Sequence, residues 1–269
     1  MSNAATAAQT APEVVSPLKV SLERDGRLLR LTLARPKANI IDAAMIAALQ
    51  AALEEHLSQP KLRCVLLTAE GPHFSFGASV EEHLPDSCAQ MLKQLHALVL
   101  TLVESPVPVL VAVRGQCLGG GLEVAAAGHL IFAAPNAQLG QPEIKLAVFA
   151  PAASCLLPER IGQTRAEELL FSGRSIGAEE ALNIGLVSMV AEDPDQAALD
   201  YFDKHLAGLS ASTLRYAVTA VRKDAMQRIR AKLAFVEQLY LQELMATPDA
   251  VEGLTAFIDK RQPQWSDGK

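Results

Sequence analysis

The stretch VPVLVAVRGQCLGGGLEVAAAG, residues 107–128, decides the fold that this sequence predicts. It starts with an apolar, β-branched run, passes through three consecutive glycines at 119–121 and ends in LEVAAAG, which favours a helix. A strand, a glycine turn and a helix in this order present backbone N–H groups at a helix N-terminus, where negative charge is stabilised. Glu123 lies in the first turn of that helix, and Glu143 follows in LGQPEI. This arrangement suits acid–base chemistry on a carbonyl compound.

Strand and helix signals alternate on both sides of this stretch. Alternating polarity around Asp25-Gly26 predicts a hairpin of two antiparallel strands. Asp42 can cap a helix, and RCVLLTAEG predicts a buried strand ahead of a second helix over about 87–103. Such alternation predicts an α/β fold with a mainly parallel sheet, in which ligands bind at the carboxyl ends of the strands.

Three segments are expected along the chain. Residues 1–16 are rich in Ala, Ser, Thr and Pro and predict a disordered tail. Residues 17–195 form the α/β core, although its strand signals fade beyond Gly140. Residues 196–269 have an almost entirely helical pattern, and we expect them to pack on the core or on other subunits.

Composition and charge exclude several classes of protein. Half of the 269 residues are hydrophobic, a fifth are charged and the net charge is −6, which is ordinary for a soluble globular protein and unsuited to general nucleic-acid binding. The most apolar stretch, residues 98–113, is interrupted by Glu104 and two prolines, so no membrane span is predicted. The N-terminus lacks the basic and leucine-rich regions of a secretory signal. We therefore expect a cytoplasmic protein.

The cysteines agree with that location. Cys64, Cys88, Cys117 and Cys155 are scattered and form no CxxC pair. Reduced, buried thiols are expected rather than a disulfide framework, and the spacing does not suggest a zinc site. No metal is predicted.

A second glycine loop supports a ligand site. The triple glycine fits neither GxxxxGK[ST] nor GxGxxG, so a nucleotide fold is unsupported, and a tight turn for close packing is the alternative. FSFGASVEE, residues 74–82, again places a glycine, Gly77, between an apolar strand and a helix. Two such loops on neighbouring strands could each donate one N–H to a single oxygen, as an oxyanion hole requires.

The motifs together resemble the enoyl-CoA hydratase/isomerase, or crotonase, superfamily. They are FSFGASVEE, GQCLGGGLEVAAAG, LGQPEIKLAV and SGRSIGAEEALNIGLVSMV, in this order, and the resemblance spans about residues 18–263. It implies a repeated β-β-α spiral core followed by an all-helical C-terminal region. It also implies a homotrimer or a homohexamer built as a dimer of trimers.

The resemblance implies a role for individual residues. The amides of Ala78 and Gly120 would hold the thioester oxygen, and Glu123 and Glu143 would hold and activate water. No cofactor is expected, because coenzyme A is part of the substrate. Five positions match segments that bind coenzyme A: Lys37, Ala38, Phe76, Phe257 and Lys260.

One departure from the superfamily concerns the acyl pocket. After QPEI the superfamily has a glycine-rich run, whereas this chain has Phe149, Ala150, Pro151 and Ala152. The altered segment and the retained glutamate pair together resemble hydratases of a conjugated cyclic dienoyl-CoA thioester from anaerobic benzoyl-CoA degradation. A straight-chain 2-enoyl-CoA hydratase, an enoyl-CoA isomerase and a non-catalytic acyl-CoA-binding protein are the alternatives.

Overall fold

The chain begins with a hairpin in the computed structural model, which describes residues 16–35 and 37–266. Strand β1 (Leu18–Glu23) pairs antiparallel with β2 (Leu28–Leu33), and the turn contains Asp25 and Gly26. The predicted hairpin is confirmed. The tail predicted over residues 1–16 lies outside the described residues, apart from Ser16.

Two sheets form the framework of the described chain. The remaining strands are β3 (Cys64–Ala69), β4 (Val109–Val113), β5 (Gln116–Leu118), β6 (Leu130–Ala133), β7 (Gln138–Gly140), β8 (Ser175–Gly177) and β9 (Met189–Val190). Within the described residues the main sheet has the order β1-β2-β3-β4-β6-β9 and is parallel from β2 onward. The smaller sheet has the order β5-β7-β8. The predicted parallel α/β architecture is confirmed.

Helices connect the strands and cover both faces of the main sheet. They are α1 (Ala43–His56), α2 (Pro85–Val103), α3 (Gly120–Ala127), α4 (Pro151–Ile161), α5 (Gln163–Ser172), α6 (Ala178–Asn183), α7 (Pro194–His205), α8 (Ala211–Gln238) and α9 (Pro248–Ile258). Asp42 caps α1 as predicted, because its side chain accepts a 2.9 Å hydrogen bond from the Met45 N–H. A π-helical turn, Leu239–Glu243, continues α8.

The hydrophobic core lies on the two faces of the main sheet. Side chains alternate along a strand, so Val109 and Val111 of β4 join the larger cluster with α1 to α4, whereas Leu110 joins the smaller one. In the smaller cluster, α7 lays Phe202 against the opposite face of the sheet. The four cysteines are buried and free, which confirms the prediction of buried thiols.

The C-terminal region is helical, as predicted. Helix α8 packs against α4 and α2, and α9 packs against a 3-10 turn, Pro142–Leu146, that follows β7. The boundary proposed at residue 195 falls inside α7, and the division into segments stays a prediction. No helix in the described part of the chain is long and apolar enough to cross a bilayer.

Candidate active site

Backbone hydrogen bonds hold the two glycine loops side by side. The Ser75 N–H donates to the Gln116 carbonyl and the Leu118 N–H donates to the Ser75 carbonyl, each over 3.0 Å. The loop after β3 therefore runs along β5 and reaches the start of α3. Gly77 has φ +116, a conformation that favours glycine, and its own N–H donates to the Ser75 hydroxyl over 3.1 Å.

The amides of Ala78 and Gly120 meet where these loops converge. A Cβ atom built on Gly120 would lie 3.1 Å from the Ala78 nitrogen, which places the two amide groups within reach of one atom. Gly120 is the first residue of α3, so its N–H has no acceptor within the helix. Among backbone hydrogen bonds outside the described helices and strands, neither amide acts as a donor. Both N–H groups are thus available to a ligand.

A pocket of about 370 Å³ opens in front of these amides. Its walls are mainly apolar and come from both loops, α2, α9 and the segment after β7. Six of the predicted site residues line it: Phe76, Ala78, Gly120, Glu123, Glu143 and Phe257. Lys37, Ala38 and Lys260 are not among its lining residues.

Glu123 is buried at the junction of two helices. It lies in the first turn of α3 and is 3% exposed. Its Oε1 accepts a 2.9 Å hydrogen bond from the Ala153 N–H in the first turn of α4. The N-terminus of α4 therefore fixes the carboxyl group, and the partial positive charge of that helix end faces it.

Glu143 reaches the same pocket from the 3-10 turn. A Cβ atom built on Gly119 would lie 2.6 Å from the Glu143 Oε1, so the carboxyl group rests on the backbone of the glycine turn. Gly119 has φ +49, which favours glycine as well. Any side chain at this position would displace the Glu143 carboxyl group.

Both carboxyl groups have a raised pKa. Burial raises the pKa of Glu123, against the opposing effect of hydrogen bonds from the backbone of Ala153 and Ala152. Burial also raises the pKa of Glu143, and the negative charge of Glu123 raises it further. Two such groups in one site titrate as a unit, because ionisation of one carboxyl group raises the pKa of the other. One group can then act as a base while the other acts as an acid.

The altered segment 149–152 begins the helix that holds Glu123, a role that the sequence did not reveal. Pro151 is the first residue of α4, where its fixed φ suits a helix start. The helix that it begins supplies the N–H that holds Glu123. Phe149 and Ala150 line the pocket.

Sequence reasoning missed Gln141 as a site residue. Its side chain is buried, and when its amide nitrogen faces Glu143 that nitrogen lies 3.1 Å and 3.0 Å from the two carboxyl oxygens. The position of Gln141 in LGQPEI, two residues before Glu143, was the available signal. Gln141 positions Glu143 and favours its ionised form.

We expect Gln141→Leu to reduce kcat for the reaction of this site by roughly tenfold, since a hydrogen bond to a charged group is lost. The variant should also shift the pH–rate profile upward, because the ionised form of Glu143 loses its donor and the pKa of that carboxyl group rises. Steady-state kinetics over a range of pH measure both effects. A profile unchanged in position would show that Gln141 only fills space.

Of the five predicted coenzyme A residues, two line the pocket and a third is hydrogen-bonded to one of its loops. Phe76 and Phe257 are partly exposed on its rim, and the Phe76 N–H donates to the Ala38 carbonyl over 2.9 Å. This bond ties the loop of Lys37 and Ala38 to the glycine loop that contains Gly77. Lys145 was not predicted, yet it lines the pocket and adds a positive charge near the rim. In the described part of the chain no cluster of three or more His, Cys, Asp or Glu side chains could hold a metal ion.

The fold and the pocket define a protein of the crotonase-fold class. An enoyl-CoA hydratase from Mycobacterium avium subsp. paratuberculosis K-10 superposes with a TM-score of 0.81 at 26% identity, covering 94% of this chain and 100% of that one. Residues 23–268 match the Enoyl-CoA hydratase/isomerase family, and the chain belongs to that family. The resemblance predicted from the motifs is confirmed.

Two curated relatives show how far the likeness extends. The chain is 69% identical over 253 residues to the cyclohexa-1,5-dienecarbonyl-CoA hydratase of Thauera aromatica, which covers 94% of this chain and 98% of that protein. It is 32% identical to a probable enoyl-CoA hydratase of Bacillus subtilis (strain 168), over 91% of this chain and 98% of that protein.

Proposed function

We propose that this protein is a hydro-lyase that adds water to cyclohexa-1,5-diene-1-carbonyl-CoA and forms 6-hydroxycyclohex-1-ene-1-carbonyl-CoA. The observation that carries the proposal is the pair of glutamates, Glu123 and Glu143, beside two unengaged amides in one apolar pocket. The identity of 69% to a hydratase named for this substrate supports the choice of acyl group. Such a step belongs to the anaerobic degradation of aromatic compounds through benzoyl-CoA.

The bonding of substrate and product defines the steps. Both ring double bonds of the substrate are conjugated with the thioester, one between C1 and C2 and the other between C5 and C6. The oxygen of water forms a bond to C2, and the electron pair of that double bond moves to the carbonyl oxygen. The resulting dienolate extends to C5, where a proton adds while the remaining double bond forms between C1 and C6. Renumbered, the product carries its hydroxyl group on C6 and its new hydrogen on C3.

Each step has a group in the pocket to perform it. We assign the amides of Ala78 and Gly120 to the carbonyl oxygen, to which they donate hydrogen bonds as its negative charge develops. One carboxyl group of the pair takes a proton from water, and the other delivers a proton to the ring carbon. Exchange of one proton with solvent then restores the pair.

We expect kcat/KM for hydration to follow a bell-shaped pH profile. The base must be ionised and the acid protonated, so the rate falls at low pH as the base gains a proton and at high pH as the acid loses one. Because burial raises the pKa of both carboxyl groups, the acid limb should lie above the ordinary glutamate value of about 4.3. A rate that stays flat down to that value would contradict a buried pair.

A comparison of two thioesters tests the proposed function. Wild-type protein should turn over the cyclic dienoyl thioester with a kcat/KM well above that for crotonyl-CoA. A much higher value for crotonyl-CoA would instead favour a general straight-chain hydratase. The Glu143→Gln variant, assayed in parallel, shows whether the measured turnover arises in this pocket.

We further propose that Phe76 and Phe257 flank the coenzyme A moiety and that Lys37, Ala38 and Lys260 lie along it. No metal or other cofactor is part of this proposal, because the two amides supply the stabilisation of charge. We also propose a cytoplasmic homotrimer or a dimer of trimers. Large apolar side chains at Phe171, Tyr216 and Phe235 remain exposed in the described chain and could be covered by other subunits. Light scattering coupled to gel filtration measures the assembly.

A further inference from the structure

A second cavity adjoins the pocket. It has a volume of about 270 Å³ and shares only Glu143, Phe149 and Ala150 with the pocket of about 370 Å³. Its other walls are mainly apolar and include Leu170 of α5, Val236 of α8 and Leu239 of the π-helical turn.

Phe149 is the bulky part of the wall that divides the two spaces. Ala150 has no more than a methyl group there, and Glu143 is held by the glycine turn and by Gln141. The Phe149 ring lines both cavities. Removing that ring is therefore expected to join them.

Tyr240 holds the Phe149 ring in place. The two rings pack edge to face, with their centroids 5.3 Å apart and an interplanar angle of 68°. Tyr240 is 1% exposed and sits in the π-helical turn after α8, a departure from regular helix that is frequent at functional sites. Its buried position leaves it little freedom, so the Phe149 ring rests against a rigid support.

We propose that Phe149, supported by Tyr240, determines acyl specificity by closing the pocket against extended chains. A flat six-membered ring needs no space beyond Phe149, whereas a long straight chain must pass it to enter the second cavity. The inference deepens the proposed function and rests on it for the identity of the cyclic acyl group. The block by Phe149 applies to any acyl-CoA that enters the pocket.

The binding of saturated thioesters tests the closure without any turnover. Butyryl-CoA and octanoyl-CoA share all coenzyme A contacts and differ in four methylene groups. In the Phe149→Ala variant we expect the affinity for octanoyl-CoA, relative to butyryl-CoA, to rise roughly tenfold or more over the wild-type ratio, because the added methylenes become buried. Isothermal titration calorimetry of the full chain gives the four dissociation constants. Phe149→Leu should show the same change in smaller measure if the alanine variant is unstable.

Two further variants distinguish a block by Phe149 from a simple enlargement of the pocket. Val148 lines the pocket but not the second cavity, so Val148→Ala should enlarge the pocket and leave the octanoyl-to-butyryl ratio close to that of the wild type. Leu170 lines only the second cavity, so Leu170→Trp added to Phe149→Ala should refill that space and abolish the gain. A wild-type preference for octanoyl-CoA, an unchanged ratio in Phe149→Ala or an equal gain in Val148→Ala would each overturn the proposal.

The proposed function has a separate readout. Turnover of the cyclic dienoyl thioester by the wild-type protein decides the function, whereas the ratio of two binding constants decides the role of Phe149. If the protein shows the expected binding ratios but does not hydrate the dienoyl thioester, the role of Phe149 stands and the proposed substrate is wrong.

Discussion

Glu143→Gln is expected to lower kcat/KM for hydration by roughly two to four orders of magnitude, and Glu123→Gln by a comparable factor. Glutamine keeps the size and much of the hydrogen bonding of glutamate but neither accepts nor delivers the proton. Because the two carboxyl groups act as a unit, the double variant should be little slower than the slower single variant. Initial rates with the cyclic dienoyl thioester measure the loss.

The fold should survive these substitutions. The Ala153 N–H, which donates to the Glu123 Oε1, can donate equally to a glutamine oxygen. Since burial raises the pKa of both glutamates, the folded state loses stability relative to the unfolded state as the pH rises above the ordinary carboxyl range. A neutral amide avoids this loss, so the melting temperature at pH 8 should match or exceed that of the wild type.

A matched control separates charge loss in the pocket from charge loss elsewhere. Glu167 lies half-buried on α5, and within the described chain its carboxyl group pairs only with Gln163 of the same helix, in an exposed hydrogen bond. Glu167→Gln should leave the rate unchanged. If Glu143→Gln or Glu123→Gln retained turnover within a few-fold of the wild type, that residue would have no part in proton transfer.

Gly120→Ala should lower kcat by roughly a hundredfold to a thousandfold, the usual loss when an oxyanion donor is disabled. The added Cβ atom would lie 3.0 Å from the Ala78 Cβ and 3.1 Å from the Ala78 nitrogen, inside the space that the thioester oxygen must enter. Alanine favours a helix more than glycine does, so α3 should not be weakened by propensity. Activity and helical content, measured on the same preparation, distinguish blockage from unfolding.

Gly208→Ala is the control for that substitution. A Cβ atom at Gly208 meets no other atom within 4 Å, so the same chemical change should leave the rate unaltered. If Gly120→Ala lowered the affinity for substrate but not kcat, the Gly120 amide would bind the ground state and would not stabilise the developing charge.

Local signals in the sequence were sufficient to predict much of the fold and part of the site. Asp25-Gly26 in the hairpin, Asp42 at the start of α1 and the glycines before α3 act through the backbone of their own segment. The convergence of the two amide loops could be predicted because the strands of a parallel sheet end at the same edge.

Contacts between distant segments could not be predicted. Glu123 is held by Ala153, thirty residues further along the chain, and no local pattern encodes that meeting. The strands of the smaller sheet, such as β5 and β8, have only three residues each and show too little alternation to reveal their pairing. The edge-to-face contact of Phe149 and Tyr240 joins segments separated by five helices, α4 to α8, and sequence spacing gave no sign of it.

Hydration of cyclohexa-1,5-diene-1-carbonyl-CoA in deuterated water, followed by NMR of the product, shows whether this pocket hydrates the cyclic dienoyl thioester and which ring carbon receives the proton. We expect 6-hydroxycyclohex-1-ene-1-carbonyl-CoA with one deuterium on C3, opposite the hydroxylated carbon, formed by the wild type and not by Glu143→Gln. Absence of product, or deuterium at the ring carbon that bears the thioester, would contradict it.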